Sequence, residues 1–408
     1  MFFMNKSNLS KIIISGTGCA LADLIYNRVS FASPEFQKYT SKQTGDGGLS
    51  PGKLVFTEEL EKFSGKPYPE ILSELVGNRQ PDKMNVGGPS LVSVIHTAQM
   101  LEGENVEVKF FGTGGNDEYT EQIFRMVRQT SLEISNYRRS ELKPTPTTDV
   151  FSDPDYDNGH GERTFVNNIG AAWDFTPEKL GDEFFDSHIQ CFGGTALVPH
   201  LHDNLTRLLK RSKQKDSITV VNTVFDFRNQ KSNPGKPWPL LDSFEDYRFI
   251  DVLIMDCEEA MKISGTASID EAARFFASTP VSFFIITNGA NQLYAKSNGS
   301  LFEKTEILQF PVSKMIAAEI KAKPELRGDT TGCGDNFAGG IISSLAIQLK
   351  NTAKGTFNLT EAISLGISSG GFCCFTVGGT YPEPFPGEKK QRIQAIQEDY
   401  KKQLINNH

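Results

Sequence analysis

Short, almost wholly apolar runs recur along this chain, and each gives way to a segment of helical periodicity. The runs are KIIIS near residue 11, VEVKFFGTGG at 106–115, HIQCFGGTAL at 188–197, SITVVNTVFD at 217–226, DVLIMD at 251–256 and VSFFIIT at 281–287. Among them lie EYTEQIFRMVRQTS at 118–131, NLTRLLKRS at 204–212, EEAMKISG at 258–265 and SIDEAARFFAST at 268–279. A strand that is apolar on both faces must be covered on both faces. Strands that alternate with helices join through crossovers, so the sheet is mainly parallel with helices on either side. The expected fold class is α/β.

Two regions break the rhythm. Residues 33–80 are rich in Gly, Pro and charge and read as an insertion, with a glycine-laden turn at 46–48. Residues 144–170 read as strands with a polar hairpin, a β-flap projecting from the α/β body. The final stretch, EKKQRIQAIQEDYKKQLINNH, reads as a charged surface helix.

At 408 residues the chain exceeds most single domains but suits a large α/β enzyme. It has no run of apolar residues long enough to span a membrane. A net charge of −8 argues against nucleic-acid or anionic-membrane partners. A small anion needs only a few backbone N–H groups and a cation or two, so it stays open as a ligand. Six cysteines stand at 19, 191, 257, 333, 373 and 374 without CxxC spacing, so neither a disulfide framework nor a zinc site is expected. Free thiols and the lack of an export signal point to the cytoplasm. His96, His160, His188, His200 and His202 show no ligand spacing and read as structural.

The densest chemistry lies in RGDTTGCGDNFAGGIISSLAIQL, residues 327–349. Gly332 and Gly334 let backbone approach a ligand, and the N–H groups of 332–335 open a helix onto an anion. Asp335 sits at that mouth. Beside an anion it fits a base that takes a proton from an attacking hydroxyl. A lone Gly-x-Gly-Asp would read as a helix cap and a turn, but DTTGCGD followed by Asn-Phe, Gly-Gly and a helix is longer and more specific.

DTTGCGDNFAGG resembles the C-terminal signature of the ribokinase-like (PfkB) family of carbohydrate and nucleoside kinases, usually D-T-x-G-A-G-D. The resemblance runs over roughly residues 11 to 385. GTGCALAD resembles the first strand and turn, NVGGPSLVSVIHTAQML the N-terminal Gly-Gly signature, and FFGTGGNDEYTEQIFRMV the G-x-V-G-x-D-x-x-G segment. GERTFVNNIGAA resembles the return from flap to core. The resemblance implies a three-layer α/β/α sandwich with a mainly parallel central sheet and a small β-sheet lid. One kinase domain would span 1–408, its nucleotide and phosphate site mainly in 215–385, with 24–84 as an insertion or lid-associated segment and 144–170 as the lid flap.

The resemblance also implies roles. Asp335 is the catalytic base, and Gly332, Cys333 and Gly334 form the anion hole. Asp23, Asn85, Gly87, Gly88 and Arg163 bind the acceptor. Thr287, Gly289, Asp329 and Ser369 lie on the ATP side. Asp256 and Glu259, in the place of the N-x-x-E motif, hold Mg2+ through water, and a monovalent cation such as K+ stays open. The partners implied are a sugar or nucleoside and a second copy of the chain docked through the lid. Three departures stand out. Asp256 replaces the usual Asn and adds negative charge. Cys333 replaces a small Ala. The gap from Asp23 to Gly87 is long. The function the resemblance implies is that of an ATP-dependent carbohydrate kinase, which transfers the γ-phosphoryl group to a hydroxyl of a sugar or sugar-like molecule. Two other functions stay open: an adenosine-like nucleoside kinase, which aromatic residues such as Phe31, Phe56, Tyr68 and Phe165 would serve, and a catalytically silent sugar or nucleotide sensor. A dinucleotide fingerprint at GTGCALAD fails because position 21 is Leu.

Overall fold

The computed structural model describes residues 11–406 apart from 44, 160, 329 and 352–355, and the side chains of 158 and 159 are also outside it. Two of the residues singled out above, Asp329 and His160, therefore lie outside the described residues.

The main sheet has nine strands. From one edge they are β14 (Leu308–Phe310), β13 (Leu293–Ser297), β12 (Phe283–Thr287), β11 (Val252–Asp256), β10 (Ile218–Asn222), β9 (Ile189–Gly193), β1 (Ile12–Gly18), β5 (Val106–Gly115) and β6 (Tyr137–Ser140). From β12 to β6 every pairing is parallel, and β13 and β14 add an antiparallel edge. Alternation explains why these strands read as unbroken apolar runs. Phe283 and Ile285 of β12 enter one core, with Val252 and Ile254 of β11. Phe284 and Ile286 enter the other, with Leu253 and Met255. Successive side chains point to opposite faces, so two cores need two apolar sets. The first core is capped by the helices Pro89–Met100, Cys333–Asn351 and Leu359–Cys373, the second by Leu205–Gln214, Cys257–Ser264 and Ile269–Ser278. The result is the three-layer sandwich.

The second sheet has five strands, in the order β3 (Leu54–Phe56), β8 (Glu162–Asn168), β7 (Thr147–Asp153), β2 (Leu21–Asn27) and β4 (Lys83–Gly87). It is the lid, and the flap predicted at 144–170 supplies β7 and β8 as an antiparallel hairpin. The chain leaves the main sheet at Gly18 and enters the lid at Leu21, so Asp23 stands within a lid strand rather than on a core turn. The 24–84 segment is no loose insertion. Phe31, Phe36, Leu60 and Ile71 pack with Leu24, Phe151 and Val166 into a core of the lid, with Tyr119 of the helix Glu118–Val127 against its side. Among the described residues no helix is long and apolar enough to cross a membrane.

Candidate active site

The helix Cys333–Asn351 begins beneath the lid, directly after Gly332. Gly332 has φ +80°, and a Cβ there would meet Gly379 Cα at 2.3 Å. Only glycine combines that left-handed turn with so close an approach. Cys333 N–H closes back on Thr330 O at 3.3 Å, and Asn336 N–H on Gly332 O at 2.9 Å. The N–H groups of the first helical turn have no carbonyl ahead of them within the helix, and that of Cys333 is taken up by Thr330 O just outside it.

Asp335 lies in this first turn, half-buried. Burial pushes its carboxyl up to about 7. Its charge is felt on two sides. On the lid side, burial pushes up the thiol of Cys19, and the charges of Asp335 and Asp23 add to it. On the sheet side Asp335 adds to the burial and to the Asp256 charge that raise Glu259.

Asp256 and Glu259 form a reciprocal cap at the start of the helix Cys257–Ser264. Asp256 Oδ1 accepts from Glu259 N at 2.8 Å, and Glu259 Oε2 from Asp256 N at 3.1 Å. Thr223 Oγ1 also donates to Glu259 Oε2, at 2.5 Å. Glu259 is buried, not the solvated charge that a helix start often carries. Burial raises both carboxyls, and the neighbouring acid raises Glu259 further. Buried acids that repel one another are the chemistry a divalent cation relieves. Among the described residues no three acids, histidines or cysteines converge closely enough to ligate a metal directly.

On the acceptor side, β2 and β4 pair Asp23 with Asn85 and Leu21 with Gly87. The glycines do a different job from the one expected of them. A Cβ on Gly87 would meet Asp23 Oδ2 at 2.3 Å, so its absence makes room for the carboxylate. Gly88, at φ +91°, lies against the backbone of Cys19 and Ala20, where a Cβ would stand 2.7 Å from Cys19 O. Close approach here is internal to the fold. Asn85 is buried, with Nδ2 donating to Val377 O at 3.3 Å and Oδ1 accepting from Val86 N. Its side chain ties the lid strand to the loop after the helix Leu359–Cys373. Arg163, on β8, donates to Thr331 Oγ1 at 2.8 Å and so reaches the Gly332 turn from the lid.

Of the residues expected on the nucleotide side, Thr287 ends β12 and donates to Met255 O at 3.4 Å. Gly289 turns at φ +56° in open space. Ser369 departs from the adenine-side role. It is fully buried inside the helix Leu359–Cys373, and a Cβ on Gly340 of the neighbouring helix would meet its Oγ at 2.6 Å. Helical phase turns it into the helix–helix contact. Cys333 Sγ lies 3.7 Å from Cys374 Sγ, a contact invisible in the sequence spacing. Asn336, Thr331, Thr223 and Lys389 also join this region without having been singled out. Asn336 follows the Gly-Asp pair and could have been suspected, whereas nothing in the sequence marked Lys389.

Comparison with known proteins gives the same outline. Residues 73–386 match the pattern described as pfkB family carbohydrate kinase. The adenosine kinase of Saccharomyces cerevisiae is 23% identical over 335 residues, covering 79% of this chain and 87% of that protein. Among solved structures, the adenosine kinase of Schistosoma mansoni in complex with 2-fluoroadenosine superposes with a TM-score of 0.67 at 18% identity, covering 92% of this chain and 98% of that one. A probable sugar kinase from Rhizobium etli superposes at 0.66 and 16% identity, covering 95% and 99%.

Proposed function

This chain belongs to the pfkB family of carbohydrate kinases, and from that premise we propose that it phosphorylates a ribonucleoside, with Asp335 as the base. ATP-dependent transfer to a sugar or nucleoside hydroxyl is the activity of the family. The observation that carries the base assignment is a single carboxylate in the first turn of a helix, behind the left-handed Gly332 turn, with its pKa raised to about 7 by burial. A base poised near neutrality can take the hydroxyl proton and hold it while the bond to phosphorus forms.

The parts divide the work. Asp23 accepts hydrogen bonds from acceptor hydroxyls and sets which of them faces Asp335. The N–H groups of Gly332 and Gly334 take the charge on the transferring phosphoryl oxygens, joined by that of Cys333 when it releases Thr330 O. Asp256 and Glu259 would hold Mg2+ through water, and the ion would supply neutralisation of the phosphate charge. Arg163 brings the lid down on the phosphate loop, which keeps competing water away from the phosphoryl group.

A ribonucleoside is favoured over a free sugar on two grounds. The curated relative and the Schistosoma structure are named for adenosine. An aromatic wall also bridges lid and core: Phe56 of β3 meets Phe227 edge-on at 5.5 Å, and Phe225 lies 4.6 Å from Phe227 and 4.7 Å from Trp238. Trp238 is buried, but Phe56, Phe225 and Phe227 stay partly exposed, and such rings suit a base. The Rhizobium relative keeps a sugar as the second reading.

The test is ATP turnover with Mg2+ against a panel of sugars and ribonucleosides, with Asp335→Asn in parallel. Turnover of a nucleoside, abolished in the variant, is the expected result. Turnover of a free sugar alone overturns the nucleoside assignment. An active Asp335→Asn overturns the base.

A further inference from the structure

A lysine is almost never fully buried without a purpose that repays its desolvation. Lys389 is 1% exposed, in the first turn of the C-terminal helix Glu388–Asn406. Its Nζ donates to Gln99 Oε1 and to Asn336 Oδ1, each at 2.9 Å. Burial lowers its pKa to about 7. None of the assigned chemistry uses it.

Asn336 is the residue after the base and is itself 1% exposed. Its Oδ1 receives Lys389 Nζ and sits 2.7 Å from Nδ1 of the buried His96. Its Nδ2 donates to Gly332 O and to Gly379 O, both at 2.8 Å. An amide reads in either orientation until its neighbours decide. An ammonium can only donate and a carbonyl can only accept. Protonated Lys389 and the two carbonyls therefore act together, holding Oδ1 on the lysine side and Nδ2 on the carbonyls. Gly332 O then has both the side chain and the backbone N–H of Asn336. Holding that oxygen fixes the plane of the 332–333 peptide, and a trans peptide turns the N–H of Cys333 to the opposite side. Gly379 O, from the loop after the helix Leu359–Cys373, is held by the same amide.

We infer that Lys389 is a positioning residue for phosphoryl transfer: through the Asn336 amide it sets the peptide planes of the 332–335 turn and the register of Asp335. The inference rests on the assignment of that turn above. His96 and Gln99 lie on the helix that follows Gly87 and Gly88, so the same network joins the acceptor side to the phosphate side.

The experiment measures kcat per ATP-binding site, so that an unfolded fraction does not count, in Lys389→Met, Lys389→Gln, Asn336→Ala and the Lys389→Met/Asn336→Ala double variant. Asp335→Asn is the control. Lys389→Met is expected to lose roughly 10- to 100-fold in kcat, with both KM values within about threefold, because misplacing reacting groups costs turnover more than binding. Lys389→Gln, which keeps an N–H donor, recovers part of the loss. The double variant is no slower than Asn336→Ala, because both substitutions break one linkage. A kcat within twofold of wild type in whichever Lys389 variant folds, or additive losses in the double variant, overturns the inference. An active Asp335→Asn instead overturns the site on which it rests.

Discussion

Arg163, on a lid strand, donates from Nη1 to Thr331 Oγ1 at 2.8 Å, one residue ahead of the Gly332 turn. The lid and the loop ahead of the Gly332 turn are therefore joined by a side chain from the flap and a hydroxyl from the loop. Arg163→Ala is expected to lower kcat about tenfold or more, since closure that fails to complete the site costs positioning. Thr331→Val should reproduce a smaller share of that loss, and steady-state kinetics on both variants decides it. Equal activity in all three proteins would sever lid closure from this contact.

Gly87→Ala tests the space behind Asp23. The new Cβ would stand 2.3 Å from Asp23 Oδ2, so the carboxylate must move. The acceptor KM should rise about tenfold or more while the KM for ATP stays put, because a hydroxyl partner displaced by an ångström is largely lost. A matched rise in both KM values would mean that the substitution disturbs the whole lid.

Asp335 predicts two pH profiles with opposite senses. Activity should rise with pH, half-maximal near 7 in the free enzyme, because only the carboxylate accepts the proton. Stability should run the other way. The folded carboxyl holds its proton more tightly than the unfolded one, whose ordinary value is 3.8. Native protein then binds more protons than unfolded protein between about 4 and 7, so this group's contribution is complete at low pH and is lost as pH rises through that window. Asp335→Asn mimics the protonated form. It should melt higher than wild type at pH 8 and at the same temperature at pH 3.5, with kcat down roughly 100- to 10,000-fold. Thermal melts at the two pH values read the first claim.

Glu259→Gln separates metal binding from capping. A glutamine oxygen can still accept from Asp256 N and from Thr223, so the helix start survives. The repulsion with Asp256 and Asp335 disappears. The Mg2+ concentration for half-maximal rate should rise about 10- to 100-fold, the usual cost of losing an outer-sphere partner. The metal-free protein should melt no lower than wild type. An unchanged Mg2+ requirement would leave Glu259 as a helix cap alone.

Ser369→Ala should leave the KM for ATP unchanged. The hydroxyl is buried against Gly340 and has no hydrogen-bond partner among the described residues. Removing an unpaired buried hydroxyl is neutral or stabilising. A raised KM for ATP would restore a nucleotide role to this position.

The sequence by itself determined the layers and the chemistry of one turn. Alternation along Phe283–Thr287 and Val252–Asp256 dictated two covered faces, because a pleated strand splits its side chains strictly between them. The Gly332–Asp335 run marked its own turn, since only glycine tolerates the left-handed approach to Gly379. Local rules reach that far. The purpose of Gly87, the burial of Ser369 and the whole role of Lys389 were settled by the tertiary structure. Gly87 is spaced for a strand partner, Ser369 for a helix neighbour, and Lys389 reads as one more charge on a polar helix. What each touches depends on how separate elements are brought together. Lys389 and Asn336 lie 53 positions apart in the chain and 2.9 Å apart in space. A residue's burial and hydrogen-bond partners are properties of the packed assembly, and no local pattern encodes them.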